Sequence, residues 1–365
     1  MKILVVASLT PTTTANYLIG AFREGGHDLL VCSDVPSPLA DLRVRGPADV
    51  AEICARQNFV PELVLFVEGG SMRLFPTGLE RMPCLTAWYG IDTHMDYAKH
   101  LRIGRLFDLT FIAQQEFVER LRQDGLRQVH WLPLGFAPEL LPAPLPPRSL
   151  DIAHVGSSNV SANPLRHALI SVLRREFPSS YFGPASPQDM GRIYASARIV
   201  FNRSVNNDVN MRFFEAAGAG AVLVTDPIID NGVEVLFEEG VHYAVYHDEA
   251  SLLEVVQTLL ADPARYEAMG KAARQRVLER HTYRHRADAL LAEVALSAKV
   301  ARPGPEGYFA AFLALDMLGG ALDAAAQAMV ATSSGTYRKL AGGAAAALLS
   351  GLGGVLNLVD RMRKH

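Results

Sequence analysis

Between Phe201 and Asp226 the chain runs Phe-Asn-Arg-Ser-Val-Asn-Asn-Asp-Val-Asn-Met-Arg-Phe-Phe-Glu-Ala-Ala-Gly-Ala-Gly-Ala-Val-Leu-Val-Thr-Asp. Asn206, Asn207, Asp208 and Asn210 crowd one short segment. Such side chains bond to nearby backbone and so favour loops and helix N-caps. Met211, Phe214 and Ala217 then fall at helical spacing, which predicts a helix from Met211 to Ala217 stopped by Gly218 and Gly220. Ala221 to Val224 is an apolar run suited to a buried strand. A helix N-terminus under a polar loop offers free N–H groups and a favourable dipole to an anion. Arg203 and Arg212 can add charge-assisted bonds. Glu215, one turn in, is wrongly placed for phosphate and well placed to accept bonds from two sugar hydroxyls. A nucleotide carries both groups, a pyrophosphate and a ribose.

Two α/β units must position these residues. Ile3 to Ala7 is a continuous apolar run, as a parallel strand covered on both faces requires. The loop Ser8-Leu9-Thr10-Pro11-Thr12-Thr13-Thr14, a helix from Ala15 to Glu24 and a strand from Leu29 to Cys32 complete a βαβ opening. Gly-x-Gly-x-x-Gly is missing, which disfavours a dinucleotide-dependent dehydrogenase. Further strands are expected at Leu63 to Val67, Cys84 to Trp88, Leu109 to Ala113 and Val129 to Leu132, with helices at Ala48 to Gln57 and Gln115 to Gln123. Ligands of open α/β sheets collect at the carboxyl ends of strands, where Thr12, Glu68, Asp92, His94 and Gly135 fall. The first unit is read as 1–137. A Pro-rich stretch, 138–150, is read as a linker. A second unit, 151–300, opens with a strand from Asp151 to Val155 and the exit loop Gly156-Ser157-Ser158-Asn159.

The segment around Glu215 resembles the donor-binding signature of retaining GT-B glycosyltransferases of the family 1/4 group, in particular the CgeB-like branch. The commoner signature is Glu-x7-Glu followed by Ala-x-x-x-Gly. Glu215-Ala-Ala-Gly-Ala-Gly matches its second half, and Asn207 stands where the first Glu would be. The wording Asn210-Met-Arg-Phe-Phe-Glu215 and the closing His281-Thr-Tyr-Arg-His-Arg286 are of the CgeB-like kind. The resemblance covers Met1 to Leu296, more fully from Asp151 onward. It implies a GT-B fold: two Rossmann-like domains facing a cleft, the first for an acceptor, the second for a nucleotide-sugar donor, plus a C-terminal helical extension. It also implies that Gly156 and Ser157 approach the phosphates and that Glu215 holds the ribose. Asn207, Asp208 and Asn210 would lie near the donor sugar or phosphate. The family's pyrophosphate-binding Lys has no counterpart, because no Lys occurs between Lys99 and Lys271. Arg166, Arg203 or Arg212 must then take its place. Asp92 and His94 become the catalytic candidates at the donor sugar, and Thr12 and Glu68 the acceptor-side candidates. Retention of configuration follows from the resemblance alone. The chain contains no Asp-x-Asp, so no metal and no cofactor is expected beyond the nucleotide sugar itself.

A formal net charge of -3 gives no support for nucleic-acid binding. The three cysteines, Cys32, Cys54 and Cys84, form neither a metal spacing nor a disulfide framework, and the opening apolar run is too short for a signal peptide. A cytoplasmic protein is the expectation. His281 and His285 share a helix face, but without a third ligand packing or capping is expected. From Ala301 the chain becomes Ala- and Gly-rich. This tail, 301–365, is read as helical, and Leu340 to Val359 carries no charge before a basic end. The length of that uncharged stretch would span a bilayer, but its Ala and Gly content makes a poor transmembrane helix; a hairpin or homodimer contact, and peripheral attachment to anionic lipid at the inner membrane face through 340–365, are the other readings. Two other functions remain compatible with the residues: a nucleotide-sugar epimerase on the same plan, and a non-catalytic nucleotide-sugar-binding protein. The nucleotide base, the sugar and the acceptor are not written in residue types.

Overall fold

The computed structural model describes residues 1–69, 74–156 and 163–300. Ser157 and the tail 301–365 lie outside the described residues.

Nine strands lie in the first half: β1 Lys2–Val6, β2 Asp28–Ser33, β3 Leu42–Arg43, β4 Ala48–Asp49, β5 Leu63–Val67, β6 Pro76–Thr77, β7 Leu85–Gly90, β8 Leu109–Ile112 and β9 Val129–Trp131. Seven form one sheet in the order β3-β2-β1-β5-β7-β8-β9, while β4 and β6 pair separately. Every pairing is parallel; Val5, for example, faces Val31 on one side and Leu65 on the other. Alternate side chains of β1 feed different layers. Ile3 and Val5 join Leu18 and Phe22 of the helix Thr14–Glu24. Leu4 and Val6 join Cys54 and Trp88 on the opposite face. This double cover is why the strand reads as an unbroken apolar run.

The second half contributes β10 Leu150–Val155, β11 Ser180–Gly183, β12 Ala197–Phe201, β13 Val222–Thr225 and β14 Tyr243–Val245, in the order β11-β10-β12-β13-β14, again all parallel. Strand order reverses between β1 and β5 in the first sheet and between β10 and β12 in the second. Such switch points open a crevice beyond the strands' carboxyl ends. Here the two crevices face one another.

The Pro-rich stretch is anchored to the second sheet. The Arg148 guanidinium donates to the carbonyls of Tyr194, Ala195, Ala197, Ala219 and Gly220. It thereby satisfies carbonyls at the C-terminal ends of the helices Pro187–Ser196 and Met211–Ala219, which have no partners within those helices.

The last described helix, Tyr283–Leu296, which the sequence places with the second half, packs on the first as well, while Arg286 also meets His281 and the Phe214 ring of the second. Tyr283 stacks on Tyr17 with ring centroids 5.1 Å apart. Arg286 donates to Leu134 O at 2.9 Å, and Phe136 bridges to Thr282. One apolar cluster therefore runs from Val5 through Phe136 and Tyr283 to Phe214 and Leu223, joining the halves. Gly218, expected to stop the helix before it, lies inside that helix instead. A Cβ there would run into the Phe136 ring, so the glycine serves close packing. Gly220 is the C-cap, in the left-handed conformation at φ 69°.

The helix Tyr97–Gly104 was missed in the sequence, although Asp96 caps it by accepting from Lys99 N. His281 is the C-cap of the helix Pro263–Arg280 and His285 lies in the next helix, so the two do not share a helix face; they pack and cap instead. His281 Nε2 meets Leu236 O at 3.2 Å, and His285 Nδ1 meets the Thr282 hydroxyl at 2.7 Å. Among the described residues, no three His, Cys, Asp or Glu are grouped as a metal site requires, and no helix is long and apolar enough to cross a membrane.

Candidate active site

The facing crevices form one cleft of about 650 Å3. Its second-domain wall is built on the loop after β12. Asn206 and Asn207 take left-handed conformations at φ 48° and 68°, which Asn tolerates better than most residues. The chain then turns into the helix Met211–Ala219, capped by Asn210, whose Oδ1 accepts from Arg212 N at 3.2 Å. Asp208 Oδ1 accepts from Val205 N at 2.6 Å and fixes the turn before the cap. The helix N-terminus, Asn210, Arg212 and Glu215 thus reach the cleft wall together.

Arg212 is held by neutral groups. It donates to Asn202 Oδ1 at 2.5 Å, Tyr194 OH at 3.2 Å and Val155 O at 3.0 Å. Arg166, from the helix Pro164–Glu176, lines the same wall, and its Nε has no partner among the described residues. Burial and the nearby Arg212 both lower the pKa of Arg166. Beneath them burial, Arg212 and Arg166 hold His154 at about 2, so its imidazole is neutral and Nδ1–H donates to Phe201 O at 3.0 Å. Gly156 stands at this point, where a Cβ would lie 2.9 Å from His154 Nε2 and 3.4 Å from Arg212 Nη2. Among the described residues these two guanidinium groups form no salt bridge, although Asp208 and Glu215 lie near enough to act on them, and they stand beside a backbone that comes close only because Gly156 has no side chain. That is a setting for a polyanion.

Glu215 lies one turn further in, without a hydrogen-bond partner among the described residues. Burial raises its pKa to about 7 against the opposing pull of Arg212. Arg203 differs from the other two arginines. Its Nη1 pairs with Asp226 Oδ2 at 2.7 Å, so its charge is already matched, although it too lines the cleft.

The first-domain wall comes from the loops after β1, β5, β7, β8 and β9. Thr12, Thr13, Glu68, Asp92 and Gln114 line it. Glu68, the acceptor-side candidate, lines the cleft, but its carboxylate is taken up by protein partners. It is 7% exposed, and both its oxygens face protein. Oε1 meets His100 Nε2 at 3.1 Å, and Oε2 accepts from Ile91 N at 2.6 Å and Asp92 N at 2.9 Å. Burial alone would raise its pKa; His100 and these N–H groups override that and hold it at about 2. Glu68 thus fixes the turn that presents Asp92. The Asp92 pKa is raised by the cleft walls and by the Glu68 charge, but its side chain is exposed, so solvent screens the effect.

Two further residues named from sequence are placed elsewhere. Asn207 does not line the cleft. Its amide is committed to the Ile229 backbone in both directions at 2.8 Å and to Glu116 at 3.3 Å, because a left-handed turn aims it at the domain seam. His94 also stands outside the lining. Its carbonyl accepts from Asn206 Nδ2 at 3.3 Å, and a proton on its ring would lower the pKa values of Asp92, Asp208 and Glu116. Gly135 lies against the backbone of His281 and Thr282, where the chain crosses back.

The structure adds residues that the sequence did not announce. Gln114, 1% exposed, accepts from Val209 N at 3.0 Å and from Asn231 Nδ2 at 2.8 Å across the seam. Tyr17 and Met190 line the cleft from two helices, and Pro184, Ala185 and Pro187 close its second-domain end. A lone Gln or Tyr carries no sequence signal for such a place.

Two parallel-sheet domains joined by a crossing-back helix, with their switch points opposed over a polar cleft, define the GT-B class of fold. Residues 152–292 match the family model described as glycosyl transferase-like. No curated protein matches the sequence of the chain. Among solved structures the chain is similar to HepE of Anabaena in complex with UDP and glucose, with a TM-score of 0.62 at 14% identity, covering 81% of this chain and 100% of that one. It is similar to a sucrose-phosphate synthase from Thermosynechococcus elongatus, with a TM-score of 0.57 at 12% identity, covering 81% and 99%. T4 phage BGT, in complex with its UDP-glucose substrate, gives a TM-score of 0.51 at 11% identity, covering 80% and 99%.

Proposed function

We propose that this protein is a glycosyltransferase that moves a sugar from a nucleoside diphosphate sugar to a hydroxyl acceptor. The observation that carries the reading is the pair Arg166 and Arg212, which form no salt bridge among the described residues and are set beside Gly156 and the N-terminus of the helix Met211–Ala219. They would hold the diphosphate and stabilise the charge that develops on it. Glu215, lacking a protein partner, would accept bonds from the ribose hydroxyls. Asp208 and Asn210 would stand near the sugar or phosphate. Asp92, and His94 behind it, would lie on the first-domain side of the reacting bond. The neighbours' complexes with UDP and UDP-glucose support a uridine nucleotide as the first donor to try.

The reaction we infer is a retaining, metal-independent displacement, in line with the CgeB-like resemblance. The bond from the anomeric carbon to the diphosphate oxygen breaks as the acceptor oxygen bonds on the same face. The acceptor proton passes to the leaving phosphate oxygen, and no protein nucleophile is needed. The test is calorimetric binding of UDP, GDP, ADP, TDP and CMP and their sugar conjugates with EDTA present, followed by NMR of the anomeric proton of any product. One nucleotide that binds under EDTA, and whose affinity falls in Arg166→Ala, is the expected result. Folded protein that binds none of them would sink the reading. A product of inverted configuration, or turnover that EDTA abolishes, would overturn the mechanism.

A further inference from the structure

The cleft is charged unevenly. Among the described residues, each guanidinium that lines it, Arg166, Arg203 and Arg212, comes from the second domain. Among the described residues, the first-domain wall has no Lys, Arg or His in its lining; it offers threonine hydroxyls and two carboxylates instead. One carboxylate, Glu68, is spent on His100 and on the turn at Ile91 and Asp92. Lys99 stands 4.0 Å from that same Glu68 and outside the lining. The other, Asp92, is exposed to the cleft and accepts no hydrogen bond from a described side chain. Thr13 Oγ1 is buried in this wall without a partner.

An ionised carboxylate only accepts hydrogen bonds, whereas a threonine hydroxyl both donates and accepts. A wall of this kind is complementary to a ligand rich in hydroxyl donors. A phosphate or carboxylate brought against it would meet Asp92 with no cation among the described lining residues of that wall, His94 and His100 standing behind it, and like charges facing each other in an interface are strongly disfavoured.

We propose that the acceptor is a hydroxyl-rich molecule without negative charge, a neutral sugar or glycoside or its amino-bearing counterpart, oriented by Asp92 and the threonines of the loop after β1. This rests on the glycosyltransferase reading above, and the experiment separates the two. Saturating UDP is added first, to fill the arginine wall and keep anionic probes off it. Methyl glucoside, methyl glucosaminide, glucose 6-phosphate and glucuronate are then ranked by ligand-observed NMR titration. The neutral and amino probes are expected to bind roughly tenfold or more tighter than the two anions. Asp92→Asn should narrow that gap and Asp92→Lys should close or reverse it. The turn itself survives either change, because Asp92 contacts Glu68 through its backbone N–H.

An anion that binds wild-type protein as well as the neutral probes overturns the proposal. So does a ranking unmoved by Asp92→Asn, or an absence of binding by all four probes while UDP binds. Failure of UDP and the other nucleotides to bind would sink the donor site instead, a separate result read in the same samples.

Discussion

Replacing Glu215 with Gln should make the free protein more stable and a worse binder of nucleotide. The carboxyl group sits in the cleft floor with its pKa raised by burial from 4.5 to about 7. The folded state therefore holds this proton more tightly than the unfolded chain does. Between those two values the folded state binds more protons, so this group's contribution to stability falls as pH rises and levels off above about 7. At about 1.4 kcal/mol per pH unit, the shift corresponds to roughly 3 kcal/mol, which we discount to about 2 because the side chain is only partly buried. Gln keeps the shape and removes the ionisation. At about pH 8 the variant should then melt higher by roughly 4 °C, and the difference should vanish near pH 4.5. Nucleotide affinity should fall, because charge-assisted bonds to the ribose hydroxyls are each worth about 1.5–3 kcal/mol, or about ten- to a hundredfold. Melting curves across this pH range and titration calorimetry with UDP measure both. A variant no more stable than wild type at about pH 8, or equally stabilised at pH 4.5 and 8, would refute the ionisation argument. Unchanged affinity would refute the ribose placement.

Two further outcomes follow from the packing. Glu68 is held at about 2 by His100 and two N–H groups, so its stabilisation is present above its ordinary value of 4.5 and lost as pH falls towards about 2. Glu68→Gln should cost about 3 kcal/mol at neutral pH and flatten the acid limb of a denaturation series, since it leaves His100 without its buried partner. Arg148→Ala should cost about 3 kcal/mol or more in urea unfolding, because five carbonyls lose one donor group.

Much of the architecture is legible from short-range pattern. The strand Leu63–Val67 has the bounds its apolar run indicates, and Asn210 caps the helix that its type and position announce. Both features are local: a doubly covered strand must be apolar throughout, and a cap needs a side-chain oxygen at one position. Gly218 shows where such reading stops. A glycine near a helix end is a stop signal on local grounds, yet here it yields room to Phe136 from a distant part of the chain. Glu68 and Asn207 are polar residues at a strand end and in a donor-like loop, and the carboxylate of one or the amide of the other could have been free for a ligand. His100 and Ile229, which claim them, are identified only by the fold.

What the sequence determined alone is most of the long elements and the loop that holds the donor-side chemistry: two runs of parallel-type strands, a helix capped by Asn210, and Arg212 and Glu215 one turn apart on it. These are consequences of periodicity and backbone bonding within a few residues. The tertiary structure decided which charges stay available. Arg203 is matched by Asp226 and Glu68 by His100, while Arg166 and Arg212 are left facing a cleft whose opposite wall carries Asp92. Electrostatic pairing acts through space over a few ångströms, and only folding sets which side chains come within that distance.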